Sequence, residues 1–90
     1  MNKISFSPEA WEDYLYWQKQ DKKTFKKVND LIKDIMRNGI SNSGLGKTEP
    51  LKYDLSGYWS KRIDSKNRMI FQVKDEEIEI IQCCDHYNDR

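Results

Sequence analysis

Between Asp21 and Gly39, six apolar residues (Phe25, Val28, Leu31, Ile32, Ile35 and Met36) fall three and four positions apart. That spacing lines one face of an α-helix and suits no strand. Asp21 is a suitable residue to open such a helix, and Gly39 a typical one to end it. A helix with a single apolar stripe must bury it against another layer. In a chain of 90 residues there is room for one core only. The remaining segments decide what that second layer is.

Lys3 to Ser7 places Ile4 and Phe6 on one face and reads as a short strand. Ser7-Pro8 is a helix start, a serine cap followed by proline at the first helical position. Ala10, Trp11, Tyr14, Leu15 and Gln18 continue at helical spacing. Residues 40–50, rich in Gly and Ser and ending in Pro50, read as loop. Three strand-like runs follow, at Tyr58–Ile63, Arg68–Val73 and Ile78–Cys83. The connectors 64–67 and 74–77 are of hairpin length. The expected fold is a single α+β domain over 1–90 in the order β-α-α-β-β-β, an antiparallel sheet with both helices on one face.

Net charge is only +1, but the charges are unevenly distributed. Residues 22–37 carry Lys22, Lys23, Lys26, Lys27, Lys33 and Arg37 against Asp30 and Asp34. Residues 47–68 carry Lys47, Lys52, Lys61, Arg62, Lys66 and Arg68 against Glu49, Asp54 and Asp64, and residues 75–90 are acidic. Such asymmetry suggests one positive face that attracts polyanions, although a basic helix is also compatible with a merely solvated surface. Nothing apolar follows Met1-Asn2-Lys3-Ile4, and no run approaches the ~20 residues of a membrane span, so neither a signal peptide nor a membrane partner is expected. Cys83 and Cys84 are sequence neighbours, which bridge each other only with strain. A cytoplasmic location is the expectation that follows.

Several chemistries find no footing. Gly44-Leu45-Gly46-Lys47 lacks the spacing of a phosphate-binding loop. Cys83-Cys84-Asp85-His86 has ligand residue types at the wrong spacing for tetrahedral zinc, so no metal or other cofactor is expected. What remains suits metal-free RNA cleavage, in which the 2′-hydroxyl of the substrate is the nucleophile. Such a reaction requires a base, a cation for the phosphate and an acid for the leaving oxygen. The chain has one histidine, His86, and histidine is the side chain best suited to be that acid near neutrality.

A set of blocks in fixed order carries a family resemblance. They are Trp11-Glu12-Asp13-Tyr14-Leu15-Tyr16-Trp17, then Lys26-Lys27-Val28-Asn29-Asp30-Leu31-Ile32-Lys33-Asp34, then Gly46-Lys47-Thr48-Glu49-Pro50-Leu51-Lys52. Leu55-Ser56-Gly57-Tyr58-Trp59-Ser60-Lys61-Arg62-Ile63, Asn67-Arg68-Met69-Ile70-Phe71 and His86-Tyr87 complete them. The chain resembles the YoeB (Txe) toxins of the RelE superfamily, bacterial mRNA interferases of toxin–antitoxin pairs, over nearly its whole length. The resemblance implies a RelE-like compact domain that enters the ribosomal A site and cuts messenger RNA without metal, leaving a 2′,3′-cyclic phosphate and a 5′-hydroxyl. It implies Glu49 as general base, Arg68 on the scissile phosphate, His86 as acid and Tyr87 as a neighbouring aromatic. It further implies that Lys47, Lys52 and Arg62 hold phosphates, and that Lys22, Lys23, Lys26 and Lys27 touch ribosomal RNA. The implied partners are the ribosome and its messenger, a cognate YefM-like antitoxin with an acidic disordered segment, and a second copy in a homodimer.

Departures from the family pattern are specific. Thr48 stands where the family commonly has proline, which implies a less stiff approach to Glu49. The loop before it is longer, Cys84-Asp85 replaces an arginine and a tyrosine, and the chain continues past Tyr87. Trp11, Tyr14, Trp17 and Trp59 read as core or interface aromatics. Tyr16 and Trp17, off the main stripe, suit a dimer or antitoxin contact. Two other functions stay open on the same fold, a ParE-like gyrase poison and an antitoxin-bound co-repressor. Neither requires the Glu49, Arg68 and His86 set.

Overall fold

The protein's structure, a computed structural model, describes residues 3–40 and 48–84. The elements are β1 (Lys3–Phe6), α1 (Pro8–Gln20), α2 (Lys22–Asn38), β2 (Thr48–Pro50), a 3₁₀ turn (Tyr53–Leu55), β3 (Trp59–Arg62), β4 (Arg68–Lys74) and β5 (Glu77–Gln82). The class is α+β, and both helices lie on one side of the sheet. Ala10 and Trp17 of α1 and Val28, Leu31 and Ile35 of α2 share one buried cluster with Met69, Phe71, Ile78 and Ile80.

The helix boundaries follow from local chemistry. The Ser7 Oγ accepts the Ala10 N–H at 3.1 Å, and Pro8 occupies the first turn, where no backbone donor is required. Asp21 serves both helices. Its N–H donates to Trp17 O at the end of α1, and its carboxylate accepts the N–H groups of Lys23 and Thr24 at the start of α2. Gly39, with φ 63°, ends α2 by donating its N–H to Ile35 O.

Among the described residues the sheet has five strands in the order β1-β5-β4-β3-β2. Two features depart from the expected antiparallel sheet of four strands. β1 lies parallel to β5, with Ile4 beside Ile78 and Phe6 beside Ile80. The chain leaves β1 through two helices before it returns, so β1 can insert beside β5 without a hairpin. The segment before Pro50, read as loop, is a short edge strand paired antiparallel with β3. Leu51 N–H donates to Tyr58 O, and ladder bonds alternate along an antiparallel pair. Pro50, opposite Trp59, therefore sits where no N–H is needed, as an edge strand permits.

Between β4 and β5 the register steps from Phe71–Ile80 to Ile70–Gln82, leaving Ile81 as the extra residue of a β-bulge. Ser7 closes over it, its N–H donating to Ile80 O and its hydroxyl to Ile81 O. Beyond the bulge Cys83 is buried and both its backbone groups meet α1. Its N–H donates to Asp13 Oδ2 at 3.0 Å and its C=O accepts from Trp17 Nε1 at 2.6 Å. Trp17 is thus a core residue, one of the two roles its sequence position allowed, and not the dimer or antitoxin contact that its place off the stripe suggested. Trp11 and Leu15, read as part of the stripe, are the more exposed, because Ala10, Asp13 and Trp17 form the buried face of α1. Among the described residues no helix is long and apolar enough to cross a membrane.

Candidate functional site

Strand pleating sorts residues 48–71 onto two faces. The helix side receives Thr48, Trp59, Lys61, Met69 and Phe71. The other side, which neither helix covers, receives a row running across four strands: Glu49 beside Ser60, Ser60 beside Ile70, and Ile70 beside Gln82. The next row along is Arg62 beside Arg68. Ser60, Ile70 and Gln82 are buried and form a floor, and Glu49 and Arg62 stand exposed at its margin. Glu49 and Arg62 are diagonal neighbours, which in a sheet places their Cβ atoms about 7–8 Å apart.

The hairpin between β3 and β4 holds Arg68. Asp64 Oδ1 accepts the N–H groups of Lys66 and Asn67 at 2.8 and 2.7 Å, and Asn67 returns its side-chain amide to both carboxylate oxygens. Burial works to raise the Asp64 carboxyl. The Asn67 amide, the two backbone donors and the nearby Arg68 charge outweigh it and hold the group below its ordinary range. Arg68 donates from Nη1 to the Asp64 carbonyl at 2.9 Å, so one arm of the guanidinium is fixed to the turn. Among the described residues neither Arg62 nor Arg68 has a carboxylate within ion-pair distance. Two arginines directly opposite each other repel, by roughly 0.2–1 kcal/mol for a cross-strand pair. A pair of this kind, with no carboxylate at ion-pair distance among the described residues, is suited to meet an anion.

Lys52 is exposed immediately after β2, where its C=O accepts the Leu55 N–H of the 3₁₀ turn. Beside it Tyr53 has φ 56° and is 91% exposed, an aromatic presented to solvent in a left-handed backbone. Sequence reading passed over Tyr53 because it lies between two charges and fits no periodicity. It also passed over Ser60 as a floor residue. Lys47, His86 and Tyr87 lie outside the described residues. The described chain ends at Cys84, whose C=O accepts from Gln82 Nε2 at 3.0 Å.

Among the described residues, the basic groups of α2 and of β3–β4 lie on opposite sides of the sheet. Lys22, Lys23, Lys26 and Lys27 belong to α2, on the helix side of the sheet, and Lys26 is paired with Asp30 at 2.9 Å. Arg62 and Arg68 belong to the opposite side. The sheet separates the two groups. Lys61 belongs to neither, since it is fully buried between Asp34 and Thr48.

A family model described as "YoeB-like toxin of bacterial type II toxin-antitoxin system" matches residues 6–87. The curated protein "Toxin YoeB" of Escherichia coli K12 is 48% identical over 85 residues, covering 94% of this chain and 99% of that protein. A YoeB in a solved YoeB–YefM complex from Staphylococcus aureus is 49% identical with a TM-score of 0.86, covering 93% of this chain and 95% of that one. A solved YoeB dimer from the same organism is 49% identical with a TM-score of 0.85, covering 94% of this chain and 97% of that one.

Proposed function

The chain belongs to the YoeB-like toxins of bacterial type II toxin–antitoxin systems, and from that membership we propose that it is a ribosome-dependent endoribonuclease that cuts messenger RNA in the A site. Glu49 takes the proton of the 2′-hydroxyl, whose oxygen attacks the adjacent phosphorus. Arg68, with Arg62 beside it, stabilises the extra negative charge of the crowded phosphate. His86 gives its proton to the departing 5′-oxygen, and Tyr87 packs or stacks beside it. The P–O5′ bond breaks as the P–O2′ bond forms. The products are a 2′,3′-cyclic phosphate and a 5′-hydroxyl, and no metal takes part. Lys52 and Lys47 hold flanking phosphates, and the lysines of α2 contact ribosomal RNA.

The observation that carries this reading is the row of Glu49, Ser60, Ile70 and Gln82 with the Arg62–Arg68 pair alongside it. It brings a carboxylate and two guanidinium groups, none of them ion-paired among the described residues, onto the side of the sheet away from the helices. The same cations suit an acidic antitoxin segment that folds over Arg62, Arg68 and the His86 region, a YefM-like partner that silences the toxin by occupying its site. Assembly as a homodimer and a cytoplasmic location belong to the same proposal.

The test is to express the chain and map 5′-ends on translated messenger, with wild type beside Glu49→Ala and His86→Gln. Each variant is expected to lose about 10²-fold or more in cutting. Cutting and growth arrest at wild-type level in both would refute the mechanism. Cleavage-free arrest with gyrase inhibited would favour the ParE-like alternative.

A further inference from the structure

A base on a three-residue edge strand has few ladder bonds to hold it. Among the described residues β2 has a single neighbour, β3, and one of its residues is a proline that donates no bond. Edge strands of this kind open at low free energy. Glu49 nevertheless has to be held in place if it is to take a proton, since misplacement by about 1 Å can cost on the order of 10²-fold in rate.

Thr48 supplies what the ladder lacks. It is 4% exposed and its side chain lies on the helix side, opposite to Glu49. Its Oγ1 accepts from Lys61 Nζ at 2.9 Å. Lys61 is fully buried, and its ammonium also meets Asp34 Oδ2 at 3.0 Å, on α2. The edge strand is thereby tied through a buried charge to the helix layer. A charge in that position cannot exchange a lost partner for bulk water, so the Thr48 hydroxyl is held firmly. Thr48 is also β-branched and stiff about its Cα–Cβ bond, so fixing the hydroxyl fixes the backbone. The neighbouring residue must then project from the opposite face in one direction.

We infer that Thr48 is a positioning residue for Glu49, acting through the buried Lys61–Asp34 pair. This rests on Glu49 being the base, as proposed above. Where the family pattern has proline before this glutamate, stiffness comes from the ring. Here a side-chain hydrogen bond to a buried ammonium supplies it, so the expectation of a looser approach to Glu49 is reversed.

The experiment compares Thr48→Val, which keeps the shape and removes the hydroxyl, with Thr48→Ser, which restores it. Glu49→Gln is run in parallel. Cleavage of messenger on ribosomes is followed as kcat and KM, and amide hydrogen exchange is followed across β2 and β3. Thr48→Val is expected to lower kcat about tenfold or more with KM little changed. It is also expected to speed exchange of the β2 amides, with both effects reversed in Thr48→Ser. β2 exchange unchanged in Thr48→Val would overturn the inference. So would faster exchange with kcat intact while Glu49→Gln is inactive. Glu49→Gln cutting like wild type is a separate result. It would overturn the assignment of the base itself, and the positioning role with it.

Discussion

The Asp13 carboxylate, on the buried face of α1, accepts the backbone N–H of Cys83 at 3.0 Å from the far end of the chain. Trp17, one turn on, donates to the carbonyl of the same residue at 2.6 Å. β5 ends at Gln82, so the Cys83 peptide groups lie beyond the ladder, and α1 satisfies them with side chains. Buried backbone groups seldom go unpaired.

Removing either partner should therefore weaken the fold in the manner of an orphaned buried group. Trp17→Phe keeps an aromatic ring but removes the indole N–H that donates to the Cys83 carbonyl, and it is expected to destabilise by about 1–3 kcal/mol. Asp13→Ala should do likewise. Urea denaturation checks both, and a midpoint within error of wild type for Trp17→Phe would show that the bond contributes nothing.

The Lys61–Asp34 pair should behave as buried ion pairs do. Asp34→Ala alone leaves a buried ammonium short of charge compensation and is expected to cost about 3–5 kcal/mol. The double variant Asp34→Leu, Lys61→Met removes both charges, and its loss should be smaller than that of Asp34→Ala. Thermal melts of the two proteins test this. A larger loss in the double variant would mean that packing, not charge compensation, dominates at this position.

Arg62 stands opposite Arg68 with no carboxylate at ion-pair distance among the described residues, so its removal should separate stability from function. Arg62→Ala is expected to leave folding stability unchanged or raise it by up to about 1 kcal/mol. The same variant should cut messenger less and bind RNA with a shallower salt dependence, by about one phosphate contact. Concurrent loss of stability and activity would speak for a structural role instead.

Acid should unfasten the β3–β4 hairpin. The Asp64 carboxyl is held below its ordinary value of 3.8 in the folded chain, although burial works against this, because Asn67, two backbone N–H groups and Arg68 favour the charged form. A depressed folded pKa means that the unfolded chain takes up the proton first on acidification. The contribution is therefore complete above the ordinary value and is lost as pH falls through the folded one. Asp21 acts in the same direction, held down by the Thr24 N–H, then the Thr24 hydroxyl, with the Lys23 N–H and charge helping against slight desolvation. Melting temperature measured from about pH 5 downward should fall more gently in Asp64→Asn than in wild type, with the two curves converging in strong acid. Parallel curves would exclude the Asp64 linkage.

Features of this fold that depend on neighbours in sequence were legible in the chain. Ser7-Pro8, Asp21 and Gly39 bound the two helices because caps act within a turn. The stripe from Phe25 to Ile35 faces the core because one period governs it. Relations that depend on distant partners were hidden. Asp13 looks like a surface acid until the Cys83 N–H, 70 residues on, is brought against it. Lys61 looks like one more cation in a basic stretch until Asp34 and Thr48 surround it. Thr48–Pro50 is too short to show alternation and contains a residue that usually marks a loop. In the site, Glu49, Arg62 and Arg68 came from the ordered family blocks. That they share a face follows from the register of β2, β3 and β4, which no one strand reveals.

The extra residue at Ile81 bears on what kinds of change this end of the chain tolerates. A strand alternates faces at every step, so the bulge resets the alternation once, and Cys83 meets α1 only because of that reset. Substitutions between Ile80 and Cys83 would alter packing by degrees. Deleting one residue there, or inserting one, would exchange inside for outside from that point to Cys83. In this stretch the number of residues is a stricter specification than their identity. A one-residue change in length should be far less forgiving than any single substitution.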